Sequence, residues 1–195
     1  MGQIIDQVLI DEKTVRKKVK DIAAAVSRDY KGRDLVLVGT LKGAVVFMSD
    51  LMRALKIPAM IDFVQVSSYG NSTGSKGKVK FIKDLDTSIK DKDVLIIEDI
   101  VDTGHTLDYL LQALKLRKPA TLNICALLDK PARRTVEVPV KYRGFEVPDK
   151  FIVGYGLDYA ETLFSTNPLR VLFAEKVERV RPPRSAPRPL DFWRT

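Results

Sequence analysis

The sequence predicts an α/β fold, a parallel twisted sheet flanked by helices, and three observations carry that expectation. Short apolar runs rich in β-branched residues recur at 35–39, 60–66, 94–97 and 122–128. Segments whose apolar residues repeat at helical spacing alternate with them, at 12–30, 45–55 and 106–116. The strand runs are apolar at consecutive rather than alternate positions, which requires cover on both faces of the sheet and favours parallel pairing.

Taken in order, Val15, Val19, Ile22, Ala23 and Val26 line one stripe of the first helix, with lysines and arginines opposite, and Lys31-Gly32-Arg33 ends it. Leu35 to Val38 reads as a buried strand, Gly43 as part of the turn after it, and 45–55 as a second helix. The run from Ser67 to Lys78 is dense in Gly and Ser, with Tyr69 its sole apolar side chain, and is expected to form a long polar loop serving as a mobile lid. From Val177 the composition turns to proline and arginine, so 177–195 is expected to be an extended, poorly ordered tail after a single domain at 1–176.

With 195 residues, 45% of them hydrophobic, the chain can fill one sizeable core. Its longest apolar runs are far shorter than the roughly 20 residues that cross a bilayer, so no membrane association is expected. The N-terminal segment lacks the apolar stretch of a secretory signal, and Asp6 occupies the position where a myristoylation motif wants Ser or Thr, which points to a cytoplasmic protein. Cys125, the lone cysteine, lies in an apolar run and reads as a buried free thiol. A net charge of +8 favours anionic partners without choosing between nucleic acid, a lipid surface and a phosphorylated small molecule.

The chemistry concentrates in Val94-Leu-Ile-Ile-Glu-Asp-Ile-Val-Asp-Thr-Gly-His-Thr106. A buried strand delivers Glu98 and Asp99 to its carboxyl end, and a turn with Gly104 opens a helix. Unpaired amides and the positive end of the dipole at such a helix start suit a phosphate, and Thr103 and Thr106 add hydroxyl donors. Two acids beside a phosphate site would repel a bare anion, so they must face hydroxyls or a cation.

This stretch resembles the signature with which type I phosphoribosyltransferases bind phosphoribosyl pyrophosphate (PRPP), and further segments up to about Glu161 resemble the bacterial-like hypoxanthine-guanine branch. The resemblance implies transfer of the phosphoribosyl group to hypoxanthine, guanine or both, giving IMP or GMP and pyrophosphate. It assigns PRPP binding to Lys42, Gly43, Glu98, Asp99, Asp102, Thr103, Gly104, His105 and Thr106, with Asp102 also the general base toward the purine N7 proton. Lys130 would donate to the purine O6, Phe151 would stack on the base, and the Ile152 backbone would read its edge. Asp158 would lie near the N2 side of the base and bind a second Mg²⁺, Glu98 and Asp99 serving the first. Ser68 and Tyr69 would begin the lid. The fold implied is a core at about 35–145 with a small hood from the N-terminal segment and about 146–176, in a homodimer or homotetramer.

The chain departs from the family at Phe164, where an arginine that contacts pyrophosphate is usual, and Arg170 is the nearest candidate to replace it. That departure and the basic tail leave two other expectations open: a catalytically weakened scaffold, and a PRPP-sensing regulator that binds nucleic acid. The retained Asp102 argues against lost chemistry, and nucleic acid is not expected as a partner.

Overall fold

The computed structural model describes residues 5–69, 78–159, 162–163 and 169–172. Along the chain run β1 (Ile5–Ile10), α1 (Glu12–Asp29), β2 (Leu35–Thr40), α2 (Val45–Ala54), β3 (Met60–Tyr69) and β4 (Lys78–Lys83). There follow β5 (Asp93–Val101), α3 (His105–Lys115), β6 (Thr121–Asp129), a 3-10 turn (Pro131–Arg133) and β7 (Val140–Glu146). The short strands β8 (Phe151–Val153), β9 (Asp158–Tyr159), β10 (Thr162–Leu163) and β11 (Leu169–Leu172) complete the set.

Local chemistry starts and stops the helices. Asp11 caps α1, its carboxylate accepting from the Thr14 amide at 2.8 Å and the Thr14 hydroxyl at 2.9 Å. The Tyr30 amide closes the other end on the Val26 carbonyl at 3.0 Å.

The main sheet has the order β4-β3-β2-β5-β6-β7. β2 runs parallel to β3 and β5, and β5–β6 and β6–β7 are also parallel. All six residues of β2 are buried, as are Asp93 to Ile97 of β5. Alternate residues serve two cores. Leu35, Leu37, Leu95 and Ile97 pack with α1 and α2, whereas Val36, Val38, Val94 and Ile96 pack with Leu107, Leu110 and Leu114 of α3. Cys125 lies in the first core, a buried free thiol whose pKa is raised by burial.

The expected parallel sheet flanked by helices is present, with one antiparallel pair, β4 on β3, at its edge. One expectation is corrected here. The polar run expected as a loop from Ser67 to Lys78 begins and ends in that ribbon: Ser67, Ser68 and Tyr69 pair with Lys80, Val79 and Lys78. An edge ribbon is held by its backbone ladder and can dispense with apolar alternation, so its polar residues hid it. Positions 70–77 and the tail at 177–195 lie outside the described residues.

A second, antiparallel sheet of order β1-β11-β8 pairs residues 5–10 with 169–172 and joins the first core through Ile152 and Leu169. Among the described residues no helix is long and apolar enough to cross a membrane.

Because Leu95 is fully buried in β5 against the α1/α2 layer, Leu95→Ala is expected to cost about 3 kcal/mol of stability. Urea unfolding should show a lower midpoint at unchanged slope.

Candidate active site

The strand order places the site. From β2 the chain crosses through α2 to β3 on one side, and from β5 it crosses through α3 to β6 on the other. The segments leaving the carboxyl ends of adjacent β2 and β5 therefore diverge and open a crevice, where ligands bind in open α/β sheets. Lys42 and Gly43 follow β2, and Glu98 to Thr106 close β5 and begin α3.

The two segments touch. The peptide between Leu41 and Lys42 is cis, and Gly43 lies so close to Asp99 that a Cβ there would stand 1.8 Å from its Oδ2. A larger residue at 43 would have to displace the Asp99 carboxylate. Asp99 Oδ1 accepts from the Ile100 amide at 2.8 Å.

Beside it, Glu98 Oε2 is shielded from solvent and accepts no hydrogen bond among the described residues. Burial raises the Glu98 pKa well above the glutamate range, the Asp99 charge and a hydrogen bond between the two carboxyls add to it, and the Thr40 hydroxyl opposes it weakly. Burying negative charge at this position is costly.

The turn from Asp102 to Thr106 leads from β5 into α3. Gly104 is the N-cap of α3 with φ 93°, and a Cβ on it would meet the Val136 carbonyl oxygen at 2.2 Å. No side chain caps the first amides of α3 among the described residues. Glu98, Asp102, Thr103, Gly104 and Thr106 share a cavity of about 120 Å³ with Ile100, Val101 and Leu107. His105 is exposed, its Nε2 lying 3.1 Å from the Thr135 hydroxyl.

Asp102 Oδ1 is also shielded and accepts no hydrogen bond among the described residues; Arg133 Nε stands 3.3 Å from it as an ion pair and reaches Asp149 at 3.7 Å. Lys130 is buried at the end of β6, its amide donating to the Val101 carbonyl at 2.9 Å. Burial lowers its pKa, and the nearby carboxylates of Asp102 and Asp149 oppose that shift. Lys130 and Asp102 thus share one electrostatic neighbourhood.

Of the remaining expected residues, Phe151 on β8 is 39% exposed while its neighbour Ile152 is buried. Asp158 is in β9, paired with Leu163. Arg170 pairs with Val153 in β11, and Phe164 lies outside the described residues. Sequence reading missed Thr40, Asp129, Arg133 and Arg134; the run Asp129-Lys-Pro-Ala-Arg-Arg134 flanks a residue it did select, and that adjacency was the available signal. A larger groove of about 660 Å³ between α1 and α2, edged by Arg16, Lys20, Asp50 and Arg53, contains none of the selected residues.

The phosphoribosyl transferase domain model matches residues 7–160. The hypoxanthine-guanine phosphoribosyltransferase of Bacillus subtilis is 50% identical over 161 residues, 83% of this chain and 89% of that protein. The hypoxanthine phosphoribosyltransferase of Haemophilus influenzae is 48% identical over 157 residues, 79% of this chain and 88% of that one. The crystal structure of a Staphylococcus aureus hypoxanthine phosphoribosyltransferase superposes with a TM-score of 0.84 at 45% identity, covering 88% of this chain and 94% of its own. The Trypanosoma cruzi enzyme in complex with its product IMP does so with a TM-score of 0.82 at 37% identity, covering 90% and 98%. By these matches the chain belongs to the phosphoribosyltransferase family, on the branch of the hypoxanthine(-guanine) phosphoribosyltransferases.

Proposed function

We propose that the chain acts in purine salvage, transferring the 5-phosphoribosyl group of PRPP to hypoxanthine, guanine or both and releasing IMP or GMP and pyrophosphate. The observation that carries this reading is the joining, at one crevice, of an uncapped helix start with the shielded carboxylate oxygens of Glu98 and Asp102. The names of the bacterial relatives support the same base class.

Amides at Gly104 and His105 and the hydroxyls of Thr103 and Thr106 take the 5′-phosphate. Glu98 and Asp99 accept from the ribose hydroxyls, which supplies the partner that Glu98 Oε2 lacks. Backbone groups of Lys42 and Gly43 meet the pyrophosphate. The purine attacks the anomeric carbon through N9, the bond to pyrophosphate breaks, and the N7 proton passes to Asp102. Lys130 donates to O6, Phe151 stacks on the ring, and the Ile152 backbone reads its edge. Ser68 and Tyr69 lead into a lid that excludes water.

The residues fit a magnesium ion. Glu98 and Asp99 form a buried like-charge pair whose cost a cation relieves, and among the described residues no cluster of three or more acidic, histidine or cysteine side chains forms a metal site unaided. Glu98 and Asp99 would hold such an ion, with the rest of its coordination left to substrate oxygens, as is common for magnesium beside phosphates. When bound, it neutralises charge on the departing pyrophosphate; Asp158 is the proposed residue for a second ion. A core at about 35–145 with a hood built on the β1-β11-β8 sheet, assembly as a homodimer or homotetramer, and a cytoplasmic location belong to the same proposal.

Wild-type protein given PRPP, Mg²⁺ and each of hypoxanthine, guanine, xanthine and adenine should turn over 6-oxopurines, followed by absorbance. Asp102→Asn should lower kcat about 100-fold or more; an inactive wild type that still binds PRPP would sink the reading. Glu98 yields a separate expectation. An acid whose pKa is raised by folding holds its proton more tightly in the folded chain, so stability falls as pH rises from the ordinary glutamate value of 4.5 through the raised value. Glu98→Gln should therefore stabilise the ligand-free protein by roughly 1–2 kcal/mol at neutral pH and flatten its pH dependence. The same change should weaken PRPP binding about tenfold, which melting curves and calorimetry would check together.

A further inference from the structure

We propose that Arg134 is a positioning residue for the transfer reaction: aimed by Asp129, it fixes the placement of Asp102 by holding that residue's carbonyl. The inference rests on the function proposed above, in which Asp102 receives the purine N7 proton.

Strand register brings the groups together. Val101 stands opposite Asp129 in the β5–β6 pair, so the chain leaving β6 runs beside the chain leaving β5. Arg134 Nη2 pairs with Asp129 Oδ1, while its Nε donates to the Asp102 carbonyl at 3.2 Å. Both side chains are sequestered, Arg134 being 7% exposed and Asp129 2%. Arg143 Nε, on a half-exposed side chain, reaches the other carboxylate oxygen of Asp129 at 2.7 Å.

Stability alone is a weak reason for this arrangement, because a buried ion pair seldom outperforms apolar side chains of the same volume. What a guanidinium supplies instead is a rigid fork whose donors have fixed directions, here toward Asp129 and toward the peptide of Asp102. Neighbouring Arg133 differs: its side chain is 48% exposed and divides its contacts between Asp102 Oδ1 and Asp149, so water screens it.

The rest of the turn is anchored independently. The Thr103 carbonyl accepts from the Thr135 and Val136 amides, each at 3.0 Å, and from the Thr135 hydroxyl at 3.1 Å. Loss of Arg134 therefore loosens the Asp102 end of the turn and leaves the part proposed to hold the 5′-phosphate in place.

The test compares wild type, Arg134→Lys, Arg134→Met and Asp129→Asn by steady-state transfer to hypoxanthine, by calorimetric affinity for IMP, and by thermal melting. In both Arg134 variants kcat should fall about tenfold or more, as small displacements of a reacting group typically cost. IMP affinity should stay within about threefold, since the phosphate contacts persist, and Arg134→Lys should melt close to wild type because Asp129 retains cationic partners. Asp129→Asn should lower kcat in the same sense at preserved IMP affinity, and it decides the matter if Arg134→Met does not fold. Full activity in Arg134→Lys would overturn the proposal, since charge alone would then suffice. A joint fall of kcat, IMP affinity and melting temperature would overturn it too, leaving a purely structural role. An inactive wild type would remove the functional reading and this role with it, whereas an active wild type with unaffected variants would remove the positioning role alone.

Discussion

The parallel pairing of β2 with β5, both buried on their two faces, is the constraint from which the rest of the molecule follows. A strand covered on both sides has no place for polar side chains along its length, so polar chemistry is displaced to the strand ends. Because the connections leaving β2 and β5 depart in opposite directions, the displaced groups collect at one crevice instead of spreading along an edge. Gly43 against Asp99 is the point of closure: the β2 turn meets the β5 acid with no atom to spare.

That closure carries an electrostatic cost. Two neighbouring carboxyls stand at the mouth of an apolar strand, and burial drives the Glu98 pKa upward. A protein selected only for stability would place an amide or an apolar group there. Under the proposed function the partners of these groups come from outside the chain, hydroxyls and a cation, so binding energy and folding energy would compete at the same atoms. Lys130 shows the mirror image, a buried cation whose pKa is lowered by burial near Asp102 and Asp149.

Much of this was legible in the sequence, for identifiable reasons. Consecutive apolar residues in β2 and β5 announced two-sided burial, and the helical stripe of Val15, Val19, Ile22 and Val26 announced α1. Glu98 to Thr106 could be read because all its residues sit in one continuous stretch. β4 escaped because its Lys-Val-Lys-Phe-Ile-Lys run is short and adjoins the Gly/Ser-rich stretch that drew the loop reading, and β7 because its burial is uneven, with Tyr142 inside and Lys141 and Arg143 outside. Thr40 and Arg134 escaped because their roles depend on which strands are neighbours: Thr40 matters through Ile97 and Glu98 across the sheet, and Arg134 through the register of Asp129 against Val101. No local pattern encodes such a relation.

The β1-β11-β8 sheet has a temporal consequence. β11 is its middle strand, so β8, which carries Phe151 and Ile152, finds its hydrogen-bonding partner only after the chain has been made as far as Leu172. The main sheet is complete by Glu146. On a ribosome adding residues from the N-terminus, the sheet that bears the phosphate turn can therefore pair first, while β1 waits unpartnered for a strand more than a hundred and fifty residues away. The half of the molecule that would grip the sugar phosphate is born early, and the strand that would stack on the base is secured last, by the meeting of sequence that begins the fold with sequence that closes it.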